Sequence, residues 1–324
     1  MSGADDLVSR VAAGERAAVA RMLSRVESGR PGTAEQLAEL YGTPRRAHIV
    51  GVTGPPGSGK SSLVAALAQV YRQRGCRVGI LAVDPTSALS GGAVLGDRIR
   101  MGQLSDDPGV FIRSMATRGA LGGLARATAD ATIVLEAAGM EMVVIETVGT
   151  GQDEVEIATT AHSTVLVSVP GMGDAIQAIK AGVMEIADLH VVNKADHDGA
   201  DRLVAELKEM LRQSRYAQPG GWRVPVCKTV ATGGSGVTEL AGLLSEHYDW
   251  LKSRDQLGER ERVMADARVR AAALALVRAR VTDPARNPRF GALVEEVARR
   301  RLTPHAAATR LIGPAGPAGK EGTV

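Results

Sequence analysis

The sequence predicts an α/β fold: a doubly wound, mostly parallel sheet with helical extensions before and after it. Three observations carry this expectation. Seven short runs are apolar throughout rather than alternating, as strands are when both faces of their sheet are covered. Helix-length stretches lie between most of them, the alternation that builds a parallel sheet. Gly54-Pro55-Pro56-Gly57-Ser58-Gly59-Lys60-Ser61 fits the pattern G-x-x-x-x-G-K-[ST] and stands directly after the first apolar run, where it would open a helix.

Taken in order, residues 4 to about 43 read as short helices rich in Ala, Leu, Arg and Glu, broken at Gly29-Arg30-Pro31-Gly32 and again around Thr43-Pro44. A helical N-terminal extension over 1–45 is expected. Strands are then expected at 48–54, 77–84, 110–113, 140–147, 163–170, 188–196 and 223–231. Helices are expected near 59–75, 119–139, 173–184, 198–215 and 236–251, giving a central domain over 46–253. Beyond Asp255 the pattern is helical only, and the run 259–281 is long enough to reach well outside a globular core. Residues 254–312 are therefore expected to form a helical arm with an Ala/Leu/Val partner face. Thr303-Pro304 reads as an N-cap with proline at the first helical position, opening the last helix. The tail at 313–324, GPAGPAGKEGTV, is expected to be disordered.

Composition narrows the function classes. No run approaches the roughly 18 consecutive apolar residues that a membrane span needs, and Asp5 and Asp6 stand where a signal peptide would be basic and then apolar. A cytoplasmic protein without a membrane partner is expected. Cys76 and Cys227, far apart in sequence, exclude a disulfide framework and a Cys-x-x-Cys metal site. Residues 252–310 carry 14 Lys and Arg against 7 Asp and Glu, so the basicity of the chain is C-terminal. Aromatics are only 2% of the chain and are not interleaved with the basic residues, so nucleic acid is not an expected partner.

The chemistry gathers at strand ends. The loop glycines let the backbone wrap so that several N–H groups point at phosphate oxygens, and the following helix adds its positive end. Lys60 would reach the β and γ phosphates, Ser61 would place its hydroxyl on Mg²⁺, and Ser62 completes the loop's contacts. Asn193-Lys194-Ala195-Asp196 closes a later strand and matches N-K-x-D. The Asp196 carboxylate would accept from guanine N1–H and its exocyclic amine, whereas adenine presents an acceptor at N1 and is rejected. Lys194 would lay its aliphatic stem over the purine, Asn193 would tie this loop to the phosphate loop, and Ala231, ending the run 223–231, belongs to the same binding set. Glu146 ends another apolar strand with Gly149 three residues on, a D-x-x-G switch with Glu in place of Asp. Such an acid can hold the Mg²⁺ shell while the Gly149 N–H senses the γ phosphate. Asp84 and Asp97 lie in or near loops at the same sheet edge and are candidate magnesium or water contacts, with Gly91 and Gly92 marking the segment between them. Around Gly119–Gly123, between Arg118 and Arg126, a helix-opening loop and a conformational switch both remain open readings.

With these residues assembled, the chain resembles the MeaB/ArgK/MMAA group, P-loop GTPases of the G3E class that act as chaperones of adenosylcobalamin-dependent acyl-CoA mutases. The resemblance runs from about residue 10 to 312 and rests on GPPGSGKSSL, AVDPTSALSGGAVLGDRIRM, FIRSMATRGALGGLARAT, ETVGTGQDEVEIA, NKAD and TPHAAATRL. It implies GTP/GDP and Mg²⁺ as ligands, Glu146 as the family's replacement for the switch Asp, and Asp84 and Asp97 as parts of the magnesium and switch machinery. It further implies a homodimer through the C-terminal arm, and as partner a B12-dependent acyl-CoA mutase supplied with cofactor by an adenosyltransferase. Turnover is expected to be slow alone and raised by the mutase, since Thr150 rather than Gln follows Gly149 and Gln152 lies further on. Ala120 departs from the polar residue common in the family's RG-x-LGG segment. The alternatives are a GTP-binding regulator of another partner and an ATPase or kinase component linked to amino-acid transport. Nickel delivery is not expected, because His48, His162, His190, His197, His247 and His305 are isolated from one another in sequence.

Overall fold

The computed structural model describes residues 3–44, 46–84, 104, 106–116, 123–147, 153–171, 186–213, 221–282 and 287–312. Among these, the apolar runs become β1 (His48–Thr53), β2 (Val78–Asp84), β3 (Val110–Ala116), β4 (Met142–Glu146), β5 (Ser163–Ser168), β6 (Leu189–Val192) and β7 (Val226–Lys228). They form one sheet, parallel at every pairing, in the order β3-β2-β4-β1-β5-β6-β7. β1 is therefore internal, with β4 on one side and β5 on the other, and the chain builds β2, β3 and β4 on one side of it before crossing to β5, β6 and β7 on the other. That reversal opens a crevice at the strand carboxyl ends.

Eleven helices are described: α1 (Gly3–Ala12), α2 (Arg16–Ser28), α3 (Thr33–Tyr41), α4 (Lys60–Gln73), α5 (Gly123–Ala137), α6 (Asp153–Ala158), α7 (Ala200–Gln213), α8 (Val237–Ser253), α9 (Gln256–Thr282), α10 (Arg289–Ala298) and α11 (Pro304–Ile312). The helix expected near 173–184 lies outside the described residues. Strand alternation sorts the core into two layers. Val50, Val52, Val144, Val165 and Val167 face α4 and α8, burying Leu63, Val64, Leu67, Leu240 and Leu244. Ile49, Leu81, Val83, Val143 and Ile145 face the other way, toward α5 and Ile157 of α6. The first three helices join that second layer: Val11, Val19, Met22, Leu23 and Leu40 are all buried with Val134 and Leu135 of α5. Arg113 on β3 is joined to Glu27 on α2 by a 2.6 Å ion pair.

β3 runs three residues beyond the expected 110–113, because Ser114, Met115 and Ala116 continue the register with Ala82, Val83 and Asp84 of β2. Leu104 and Phe111 enter the core on opposite sheet faces.

At the amino edge of the sheet, polar side chains bury together. Ser163 Oγ lies 2.7 Å from His48 Nε2 and 2.8 Å from His247 Nδ1. Asp188, just before β6, accepts from the Thr164 N–H at 2.8 Å and from Arg260 Nη2 at 2.6 Å. The Trp222 indole donates to the Asp188 carbonyl at 2.8 Å, and Trp250 completes an aromatic wall with Trp222 and His247. Burial holds His162 down at about 3 and His247 at about 4, and pushes His48 well below the ordinary imidazole value, so all three are neutral near pH 7.

The chain divides into two units, 1–268 and 269–324. Within the second, α10 packs on α11, and Thr303 Oγ1 accepts from the Ala306 N–H at 3.2 Å, the N-cap geometry of α11. Val269, Leu274, Leu276 and Val277 are exposed along the distal part of α9. No helix among the described residues is long and apolar enough to cross a membrane.

Candidate functional site

β1 ends at Thr53 and the chain turns sharply into α4. Gly54, at φ +142°, is packed so closely on β5 that a Cβ there would strike the Val167 carbonyl. Gly59 caps α4 at φ +84°, and a Cβ there would run into the Asn193 amide. Pro55 is half-buried, Pro56 and Gly57 are exposed, and Ser58 is buried, so the loop's outer arc meets solvent while its base is fixed. Lys60, the first residue of α4, donates from Nζ to the Gly54 carbonyl at 2.8 Å and the Pro55 carbonyl at 3.1 Å. Its ammonium is thereby held across the mouth of the loop, beside the positive end of the helix.

Ser61 and Glu146 meet at the floor. The Ser61 hydroxyl donates to Glu146 Oε1 at 2.6 Å, and both residues are buried. Glu146 reaches this position because it ends β4 in register with Val52 of β1. On its other side, Ala82 of β2 is in register with Glu146, which puts the backbone of Asp84 two residues further along at the same sheet edge. The side chain of Asp84 lies outside the described residues, as do Asp97, Gly149, Gly91, Gly92, Arg118, Ala120, Thr150 and Gln152 in full.

Asn193 organises the other end. Its Nδ2 donates to the Ser58 carbonyl at 2.8 Å, and its Oδ1 accepts from Thr229 Oγ1 at 3.0 Å and the Ala231 N–H at 3.2 Å. One buried amide thus joins the phosphate loop, β6 and the segment after β7. Lys194 lies next in the left-handed region, φ 54°, and Asp196 projects with its side chain 57% exposed. A cavity of about 300 Å³ is lined by Gly57, Gly59, Lys60, Ser61, Ser62, Glu146 and Lys194. A second, of about 210 Å³, shares Gly59, Ser62 and Lys194 with it and includes Asn193, Asp196, His197 and Ala231. The two together make an elongated groove, cationic and hydroxyl-rich at one end, with a carboxylate at the other. That distribution complements a nucleoside polyphosphate with a donor-bearing base.

His197, Val230 and Thr232 also line the second cavity and were not singled out from sequence. For His197 the signal was its place beside Asp196. The loop at 230–232 had none, since its side chains are ordinary and its position is set by Asn193.

The residues fit magnesium as well as nucleotide. A hydroxyl and a carboxylate 2.6 Å apart are the hard oxygen donors Mg²⁺ takes.

Comparison with known proteins identifies the family. Residues 19–287 match the family described as Methylmalonyl Co-A mutase-associated GTPase MeaB. A "Putative GTPase" of Pyrococcus abyssi is 44% identical over 309 residues, 95% of each chain. A "Probable GTPase" of Mycobacterium tuberculosis is 43% identical over 265 residues, 80% of this chain and 79% of its own. The mouse protein "Methylmalonic aciduria type A homolog, mitochondrial" is 35% identical over 270 residues, 78% of this chain and 65% of its own. A crystal structure titled LAO/AO transport system kinase superposes with a TM-score of 0.71 over 95% of this chain and 96% of its own, at 23% identity, and so shares the fold.

Proposed function

Because this chain belongs to the family of methylmalonyl-CoA mutase-associated GTPases and is a P-loop GTPase, we propose that it uses GTP to gate cofactor loading and protection of an adenosylcobalamin-dependent acyl-CoA mutase. The observation that carries the nucleotide half is the groove itself, with Lys60, Ser61 and Glu146 at one end and Asp196 at the other. The partner half rests on the family and on the relatives in mouse and Caenorhabditis elegans named for methylmalonic aciduria.

In this reading the loop from Gly54 to Ser62 wraps the phosphates, and Lys60 leaves the Gly54 and Pro55 carbonyls to neutralise the β and γ oxygens. Ser61 and Glu146 would hold Mg²⁺, with Asp84 and Asp97 beside it; the ion, when bound, neutralises charge on the phosphate oxygens. Asp196 accepts the two guanine donors, Lys194 covers the purine face, and Asn193 and Ala231 fix the loops that present them. Gly149 is assigned to the switch that reads the γ phosphate. Phosphoryl transfer needs positioning and charge neutralisation above all, so a switch completed by the partner would make turnover slow alone and faster with the mutase. The exposed Val269, Leu274, Leu276 and Val277 support a homodimer built on the arm.

The test is turnover of Mg·GTP and Mg·ATP by the purified full chain, with and without apo acyl-CoA mutase. GTP-selective hydrolysis that rises with the mutase is expected. GTP hydrolysis indifferent to methylmalonyl-, isobutyryl- and 2-hydroxyisobutyryl-CoA mutases would overturn the partner and leave the GTPase.

A further inference from the structure

Val52 and Glu146 are the last paired positions of β1 and β4. One residue beyond each of them stands a threonine. Thr53 and Thr147 are 0% and 1% exposed, and the Thr147 hydroxyl donates to the Thr53 hydroxyl oxygen at 2.9 Å. The Thr147 N–H donates to the Val52 carbonyl at 3.1 Å. Pairing therefore continues past the sheet ladder by one backbone bond and one side-chain bond, at the place where the two strands part into different loops.

The immediate neighbours of the two threonines make this position consequential. Thr53 is joined to Gly54, where the phosphate loop begins. Thr147 is joined to Glu146, whose carboxylate meets Ser61 at 2.6 Å from the sheet face that carries α4. A strand end held by backbone alone frays. Two buried hydroxyls that satisfy each other resist parting, because separation in the same dry environment strands both.

We propose that Thr53 and Thr147 are positioning residues for GTP hydrolysis: their hydroxyl pair locks the end of β4 to the start of the phosphate loop and so holds Glu146 opposite Ser61. This rests on the assignment of Ser61 and Glu146 to the metal end of the groove. Neither threonine touches nucleotide; both act through Glu146.

The experiment compares Thr147→Val, Thr53→Val, the double variant, and Thr147→Ser, which keeps the hydroxyl. Thr147→Val is expected to lower kcat about tenfold, the rate equivalent of one well-placed hydrogen bond, and to raise the Mg²⁺ needed for half-maximal turnover, with KM for GTP within about twofold. Thr147→Ser should restore both, and the double variant should be no worse than the poorer single. In the nucleotide-free protein, amide exchange at Thr147 should quicken in Thr147→Val and not in Thr147→Ser. Unchanged exchange and magnesium dependence in Thr147→Val, or equal damage from Ser and Val, would overturn the proposal. Should Thr147→Val fail to fold, Thr53→Val and Thr147→Ser carry the same comparison. Glu146→Gln separates the layers. If it is impaired while Thr147→Val is normal, only the threonine role fails; if it keeps normal magnesium dependence, the assignment of Glu146 fails and the threonine role with it.

Discussion

The Ser61 hydroxyl donates to Glu146 Oε1 across 2.6 Å, joining the first turn of α4 to the end of β4, 85 residues later in the chain. Each residue alone has an ordinary alternative role, Ser61 in a helix's first turn and Glu146 as a strand-end acid. Together, buried beside Lys60, they form an oxygen pair suited to a hard divalent cation.

Removing either member should act on the metal-dependent step. Ser61→Ala or Glu146→Gln is expected to lower kcat on the order of 100-fold, as loss of an electrostatic stabiliser does. Affinity for GDP measured by calorimetry in chelator should change little. A matching loss of GDP affinity without metal would place both residues in nucleotide contact instead.

Base choice should depend on one carboxylate. Asp196→Asn exchanges an acceptor for a donor at the guanine edge, so GTP affinity should fall on the order of 100-fold and xanthosine triphosphate should become the better ligand. Competition binding with both nucleotides reads this directly; unaltered GTP preference would remove Asp196 from the base site.

Gly54 is held against β5 at φ +142° with no room for a Cβ. Gly54→Ala should therefore cost at least about 3 kcal/mol of stability, since the Val167 carbonyl is backbone and cannot swing aside. Urea unfolding of the two proteins checks it. A midpoint shift too small to measure would mean that β1 and β5 separate more easily than their register suggests.

Acid should unfold the protein steeply. His162 and His247 are held at about 3 and about 4 by burial, against about 6.5 in an unfolded chain. Between those values the unfolded state binds more protons than the native one. Their contribution is present above about pH 6.5 and is lost as pH falls toward the folded values. These two histidines alone give a slope of about 2.7 kcal/mol per pH unit near pH 5. Chemical denaturation across this range measures the slope, and His247→Gln should flatten it by about 1.4 kcal/mol per unit.

The strands were legible because a sheet covered on both faces needs apolar residues at every position, and 48–53, 142–146 and 163–168 nearly meet that. The extra length of β3 was not, because Ser114 and Ala116 are weak strand formers held by register with β2. The break at Ala13-Gly14-Glu15 between α1 and α2 was hidden in a run of helix-favouring residues, although Gly14 sits at φ +77°. Six-residue α6 is too short to show a helical period. In the site, the loop and N-K-x-D carry fixed spacings and could be read directly. The Thr53–Thr147 pair and the link from Asn193 to Thr229 could not, since only the order of strands brings those positions side by side. The same is true of His48, His162 and His247, isolated in sequence and gathered at one edge of the sheet.

The two indoles, Trp222 and Trp250, are the chain's full complement of tryptophan, and both stand at the amino edge of the sheet, behind the crevice that holds the phosphate loop. Tryptophan emission, excited selectively beyond the tyrosine band, is therefore a single-site optical probe. It reports whether Arg260 and the start of α9 remain seated on Asp188, and is remote from the groove that GTP would fill. A change in that emission on adding GTP would register a rearrangement carried through the sheet rather than the arrival of the ligand.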